Sequence, residues 1–244
     1  MSHLHIDIEN LSFSYDKSKE ILKDINLRFN EHDSIGLIGA NGTGKSTLLK
    51  LLVGLETINT GEIRVNDIPI TKDTLNTIRE RIAYVFQDSD SQLFMTTVYD
   101  DVAFLARNFK LPESKVNELV TNTLEKINIT QLKDRQIYKL SGGEKKLVSI
   151  ATVLTLTPDI ILMDEPSITL DPKNRRNLIN LLNEFDHLKV IASHDLDMIM
   201  DTCNRVILIN NGKIVHDGPT NEILYNQKLL EENGLELPLC LQKK

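Results

Sequence analysis

Apolar and polar residues alternate at the start of the chain. Ile6 and Ile8, then Ile25, Leu27 and Phe29, recur at every second position, so Leu4 to Phe13 and Leu22 to Phe29 are predicted to be half-exposed antiparallel strands of an edge sheet. The run Ser34-Ile35-Gly36-Leu37-Ile38 breaks that period. It is continuously apolar, ends in glycine, and precedes helical spacing from Lys45 to Val53, so a buried strand feeds a helix. Ile160 to Met163 and Val190 to Ser193 are also continuous, as in a parallel sheet covered on both faces. Between Gln87 and Thr157 strand character gives way to helix, most clearly from Ser114 to Ile127 through Val116, Leu119, Val120, Leu124 and Ile127, and again from Lys145 to Leu156. Arg205 to Asn210 and Lys213 to Asp217 flank Asn211-Gly212, a strong hairpin signal, and a helical tail follows from Thr220. The pattern predicts an α/β class. Residues 1–86 and 158–219 would form the core with an antiparallel β subdomain, 87–157 an inserted helical lobe, and 220–244 the tail.

Composition narrows the picture without changing it. The 244 residues suffice to bury a substantial core, and 41% hydrophobic with 26% charged residues is ordinary for a globular chain. With 28 Lys and Arg against 35 acids, the net charge of -7 disfavours broad attachment to nucleic acid or to an anionic membrane surface. No apolar segment approaches the length of about 20 residues that a spanning helix requires, and Met1 to Asp7 carries no export or transit pattern. The expectation is a cytosolic chain whose membrane role, if any, comes through a partner. Cys203 and Cys240 lack metal-ligand spacing and are expected to be packing residues.

Gly39-Ala40-Asn41-Gly42-Thr43-Gly44-Lys45-Ser46 is a phosphate loop set between the buried strand and the helix, where its mechanism needs it. Glycines let successive N–H groups and the helix N-terminus face one anion, Lys45 supplies a positive charge and Ser46 a hydroxyl for magnesium. This implies a P-loop NTPase core. Asp164 and Glu165 end the strand Ile160 to Met163, at the edge where ligands bind in parallel sheets. Asp164 is the candidate magnesium residue and Glu165 the candidate base that directs water at a terminal phosphate. Ordinary loop acids would be the alternative, but pairing with a phosphate loop argues against it.

Leu140-Ser141-Gly142-Gly143-Glu144, ahead of a helix, resembles the LSGGQ signature of ATP-binding cassette (ABC) ATPases. Two glycines before a helix again present N–H groups to an anion, and the Ser141 hydroxyl is a further donor. A lone Ser-Gly-Gly would be a helix cap. The remaining landmarks match in order from Tyr15 to about residue 240. The resemblance implies a head-to-tail pair of cassettes sandwiching two ATP molecules with Mg2+. In one chain Tyr15 would stack on adenine, residues Gly39 to Ser46 with Thr47 would cradle the phosphates, and Ser46, Gln87 and Asp164 would hold the metal, the last through water. His194 would contact the terminal phosphate, while Ser141, Gly142, Gly143, Glu144 and Asp171 would act in trans. The alternatives are edge-strand packing for Tyr15, a structural role for His194 and a helix cap for Asp171. The chain departs from the family at Ile168 and Thr169, where a small residue and a glycine are usual, and at Glu144 and Leu147, which replace glutamine and arginine.

The segment Gln87-Asp88-Ser89-Asp90-Ser91-Gln92-Leu93-Phe94, with Thr97-Val98-Tyr99-Asp100-Asp101-Val102-Ala103-Phe104, is similar to energy-coupling factor and cobalt or nickel importer ATPases, although their usual Asn-Pro is absent. That similarity implies a second ATPase chain, identical or a paralogue, a transmembrane coupling subunit and a substrate-capturing membrane subunit. It places the protein peripherally at the cytoplasmic face and favours a transition-metal solute over a vitamin. A soluble DNA-repair cassette would need long insertions that are missing, and a translation factor would need tandem cassettes. A scaffold cassette without turnover stays open, opposed by the presence of Glu165 and His194.

Overall fold

The structure, a computed structural model, describes residues 4–16 and 19–242. In chain order its elements are β1 (His5–Phe13), β2 (Leu22–Asn30), β3 (Ser34–Ile38), α1 (Lys45–Leu52), β4 (Thr60–Val65), β5 (Ile68–Pro69), α2 (Leu75–Arg79), β6 (Ile82–Val85), α3 (Val98–Asn108), α4 (Glu113–Lys126), α5 (Gly142–Leu154), β7 (Ile160–Asp164), α6 (Pro172–Glu184), β8 (Leu188–Ala192), α7 (Leu196–Thr202), β9 (Arg205–Asn210), β10 (Lys213–Pro219), α8 (Thr220–Leu224) and α9 (Gln227–Glu232). The fold is α/β, and the chain divides into two compact units. One contains Met1–Ile82, Asp159–Asp164 and Asp186–Lys244; the other contains Ala83–Pro158 and Glu165–Phe185.

The first unit holds two sheets. An antiparallel sheet runs in the order β2-β1-β4-β5. Ile6 pairs with Phe29 and Ile8 with Leu27, all four buried on one face, as the period-two pattern requires. β1 is not at an edge: β4 pairs along its other side through Ile6–Val65 and Ile8–Ile63. Within this unit the second sheet runs in the order β10-β9-β3-β8-β7. There β9, β3, β8 and β7 are parallel, and β10 folds back antiparallel through a turn at Asn211 (φ 50°) and Gly212 (φ 76°). Every position of β3, β7 and β8 is buried, which explains their continuous apolar runs. β8 begins two residues earlier than the run Val190 to Ser193 indicates, because the buried Lys189 interrupts the apolar pattern without leaving the sheet.

The second unit is mainly helical. Val102, Ala103 and Ala106 of α3, Val116, Val120 and Leu124 of α4, and Val148, Ile150 and Ala151 of α5 are buried in it. Thr97 caps α3 by accepting the Asp100 N–H, and Asp171 caps α6 by accepting the Asn174 N–H at 2.8 Å, with Pro172 at the first helical position. Helix α5 starts at Gly142, three residues before the apolar spacing suggests. Glycine is a poor helix former, so the start is fixed by a capping box between Ser141 and Glu144.

Both cysteines are free. Cys203 is buried, and burial pushes its thiol up to about 11. Cys240 is not a packing residue: it is exposed, in a short turn whose Leu239 and Cys240 N–H groups donate to the Asp197 carboxylate at 2.9 and 3.0 Å. No helix among the described residues is long and apolar enough to cross a membrane.

Candidate functional site

Strand register assembles the site of the first unit. Ala192 of β8 pairs with Leu37 of β3 on one side and with Asp164 of β7 on the other. The strands are parallel, so the chain leaves all three at one edge: Gly39 two residues beyond Leu37, His194 two beyond Ala192, and Asp164 at the end of its own strand. His194 is exposed there. The next residue, Asp195, accepts the Met198 N–H at 2.9 Å and starts α7.

The loop from Gly39 to Ser46 closes tightly. Gly39, Gly42 and Gly44 have φ of 151°, 76° and 108°. At Gly39 a side chain would also overlap the Ile209 carbonyl, so no other residue fits. Thr43 Oγ1 donates to the Ala40 carbonyl at 2.9 Å, while Asn41 is exposed. Gly44 is the N-cap of α1, and no side chain caps that helix. The buried Lys45 ammonium donates to the Gly39 and Ala40 carbonyls at 2.7 and 3.1 Å, which holds a positive charge inside the loop. Ser46 Oγ donates to Asp164 Oδ1 at 3.0 Å. A hydroxyl and a carboxylate in contact at the start of the helix are hard oxygen donors that suit Mg2+, so the residues present fit that ion.

Glu165 follows Asp164 directly. It is 6% exposed and has φ +48°, a left-handed conformation uncommon for a side chain of this kind. The strained turn ends the extended backbone of β7 at Asp164.

Tyr15 lies just past β1, outside the strand, and is 55% exposed. Its ring meets Phe13 edge-on at 4.9 Å and 88°, and its hydroxyl lies 3.3 Å from Thr47 Oγ1 at the start of α1. It borders an open cleft of about 360 Å³ together with Ser12, Phe13, Ser14, Asp16, Glu20, Asn59 and Thr60. An exposed ring tethered to the phosphate loop at the mouth of a cleft can offer a face to a planar base.

In the second unit, Ser141 and the exposed Gly142 open α5. Glu144 Oε2 accepts both the Ser141 N–H at 2.8 Å and the Ser141 hydroxyl at 3.0 Å, and these bonds hold its carboxyl below the usual carboxylate range. The Ser141 hydroxyl and N–H are therefore already engaged within the chain, whereas the sequence pattern offered the hydroxyl, with the glycine N–H groups, to an incoming anion. A side-chain carbon on Gly143 would approach the Thr169 carbonyl oxygen to 2.9 Å, so the loop before α6 backs directly onto the signature glycines. Asp171, exposed, caps α6. Gln87, also exposed, lies on the loop after β6.

Thr169 takes φ +72°, so the loop keeps a glycine-like backbone without a glycine. A β-branched residue there costs about 1–2 kcal/mol, whereas glycine loses about 0.5–1 kcal/mol more chain entropy on folding. Thr169→Gly is thus expected to stabilise the protein by about 0.5–1 kcal/mol in urea unfolding. A lower midpoint would mean that the threonine side chain compensates for its own strain.

A sequence model of the family described as ABC transporter matches residues 22–168. A putative ABC transporter ATP-binding protein of Geobacter sulfurreducens is 44% identical over 242 residues, covering 99% of this chain and 97% of the relative. An energy-coupling factor transporter ATP-binding protein EcfA of Carboxydothermus hydrogenoformans is 35% identical, covering 98% of this chain and 90% of the relative. Among solved structures, cbiO1 of Clostridium perfringens, part of the ABC transporter complex cbiONQ, superposes with a TM-score of 0.81 at 34% identity, covering 93% of each chain.

Proposed function

The chain is an ATP-binding ATPase subunit of the ABC transporter family, and from that premise we propose that it works as one of a head-to-tail pair beneath an energy-coupling factor type importer. The observation that carries the nucleotide-binding part of this reading is the loop in which Lys45 is buried against its own carbonyls while Ser46 reaches Asp164; the pairing rests on the likeness to EcfA and cbiO1.

In this reading Lys45 and the backbone N–H groups from Gly39 to Thr47 bind the ATP phosphates, and Tyr15 stacks on the adenine. Ser46, Gln87 and, through water, Asp164 would hold Mg2+, which would supply positive charge to the phosphate oxygens. Glu165 accepts a proton from the attacking water, and His194 orients the terminal phosphate. Ser141, Gly142, Gly143, Glu144 and Asp171 act on the nucleotide of the partner chain. Because Glu144 occupies the Ser141 hydroxyl and N–H, closure requires the hydroxyl to exchange that carboxylate for phosphate, or the glycine N–H groups to carry the contact. Hydrolysis then removes the bridging phosphate and the pair reopens.

The division into a nucleotide-binding core (1–86 and 158–219), a helical lobe (87–157) and a tail (220–244) belongs to this proposal. So do peripheral attachment to the cytoplasmic face, a transmembrane coupling subunit with a substrate-capturing subunit, and a cobalt or nickel solute. Support for the solute is the segment Gln87 to Phe104, and for the partners the likeness to EcfA and cbiO1. Nucleic acid has no place in it, in keeping with the net charge of -7.

Mixing two inactive variants tests the shared site. Lys45→Ala disables the floor of a chain's own site, and Ser141→Arg obstructs the lid it lends to its neighbour. A mixed pair then contains one intact site, so random pairing should restore about a quarter of the parent turnover. No recovery on mixing, with both variants folded, would refute the head-to-tail arrangement.

A further inference from the structure

Five residues after Ser141, helix α5 carries a lysine that the site as described leaves without a role. Lys146 is 1% exposed, a rarity for a side chain that is seldom buried unless its charge is paired. Its ammonium donates to the Phe86 carbonyl at 2.8 Å and to the Gln87 carbonyl at 2.7 Å. Other bonds join the same two segments. Lys145 Nζ meets Asp90 Oδ1 at 2.6 Å. Gln92 Nε2 donates to the Ser149 carbonyl at 2.7 Å and to Thr152 Oγ1 at 2.9 Å, while within the loop its Oε1 accepts the Phe86 N–H at 3.0 Å. Ser89 Oγ lies 3.5 Å from Ser149 Oγ. Positions 145, 149 and 152 follow helical spacing along one face of α5, with 146 beside them. The loop from Phe86 to Gln92 is therefore fastened along that face over about two turns.

We propose that Lys146 is a positioning residue for ATP hydrolysis: its ammonium locks the Phe86 and Gln87 carbonyls to α5, so that Gln87 and the signature segment Ser141-Gly142-Gly143 move as one piece. A buried ammonium suits this better than a hydrophobic contact, because directed bonds to two successive carbonyls fix the backbone from which the Gln87 side chain departs. The binding of one ligand at Gln87 and of the partner's nucleotide at Ser141 would then be linked through a single rigid body. The inference rests on the reading of Gln87 as a magnesium residue.

The test compares Lys146→Met, which keeps most of the length and loses the donors, with Lys146→Arg, which keeps the cation, both in the full chain. Lys146→Met is expected to bind ATP without Mg2+ within about twofold of the parent. It should need about tenfold more Mg2+ for half-maximal turnover and lose about tenfold in kcat, the size usual for residues that orient a metal ligand. Lys146→Arg should recover most of both. Gln92→Leu, which cuts the second fastening, should shift the Mg2+ dependence the same way and carries the test if Lys146→Met does not fold. A folded Lys146→Met with the parent Mg2+ dependence, or with kcat lowered and that dependence unmoved, would overturn the proposal. Gln87→Ala separates the two readings, since an unchanged Mg2+ dependence in that variant would refute the magnesium role of Gln87 whatever Lys146 does.

Discussion

Glu165→Gln should lower ATP turnover by about 10²–10⁴-fold, the usual contribution of a positioned general base, while ATP affinity stays near the parent value. The substitution keeps the shape of a side chain that is only 6% exposed and removes its ability to take a proton. With hydrolysis blocked, the contacts that bridge two chains through the terminal phosphate persist, so ATP should drive the variant into a stable dimer. Phosphate release measures the first effect and size-exclusion chromatography with ATP the second. Turnover at the parent rate would remove Glu165 from the mechanism. The backbone at Glu165 sharpens the expectation, because a left-handed φ of +48° on a buried carboxylate is a strain that surrounding structure must hold.

Lys45→Ala should abolish binding, with affinity for ATP falling about 100-fold or more. A charge-assisted bond contributes about 1.5–3 kcal/mol, and each 1.4 kcal/mol is tenfold in affinity. Lys45 also donates to the Gly39 and Ala40 carbonyls, so its removal loosens the loop that gathers the phosphate-facing N–H groups. Titration with a fluorescent ATP analogue reads the loss, and far-ultraviolet circular dichroism checks that the fold survives. Retained affinity would count against the whole assignment of the loop. The two variants separate binding from chemistry: one site without ligand, the other with ligand and no turnover.

Features that arise from neighbours along the chain were legible before any coordinates. Period-two alternation marked β1 and β2, continuous apolar runs marked β3, β7 and β8, and the glycine spacing from Gly39 to Ser46 marked a loop whose backbone must curl. Each is a local property, set by side-chain period, capping or backbone freedom. The pairing of β4 and β5 beside β1 left no such trace, since Thr60-Gly61-Glu62-Ile63-Arg64-Val65 is short and mostly polar and acquires strand geometry from its partner.

How those pieces meet came from the folded chain. It set the register that aligns Leu37, Ala192 and Asp164, and it brought Lys146 onto the carbonyls of a loop 60 and 59 positions earlier. It also placed Thr169 in a backbone conformation that its residue type disfavours, and turned Glu144 from a passive substitution into the partner of Ser141. Such outcomes depend on contacts between residues far apart in sequence and on packing strong enough to override local preference. Neither quantity is written in the spacing of residues along a chain.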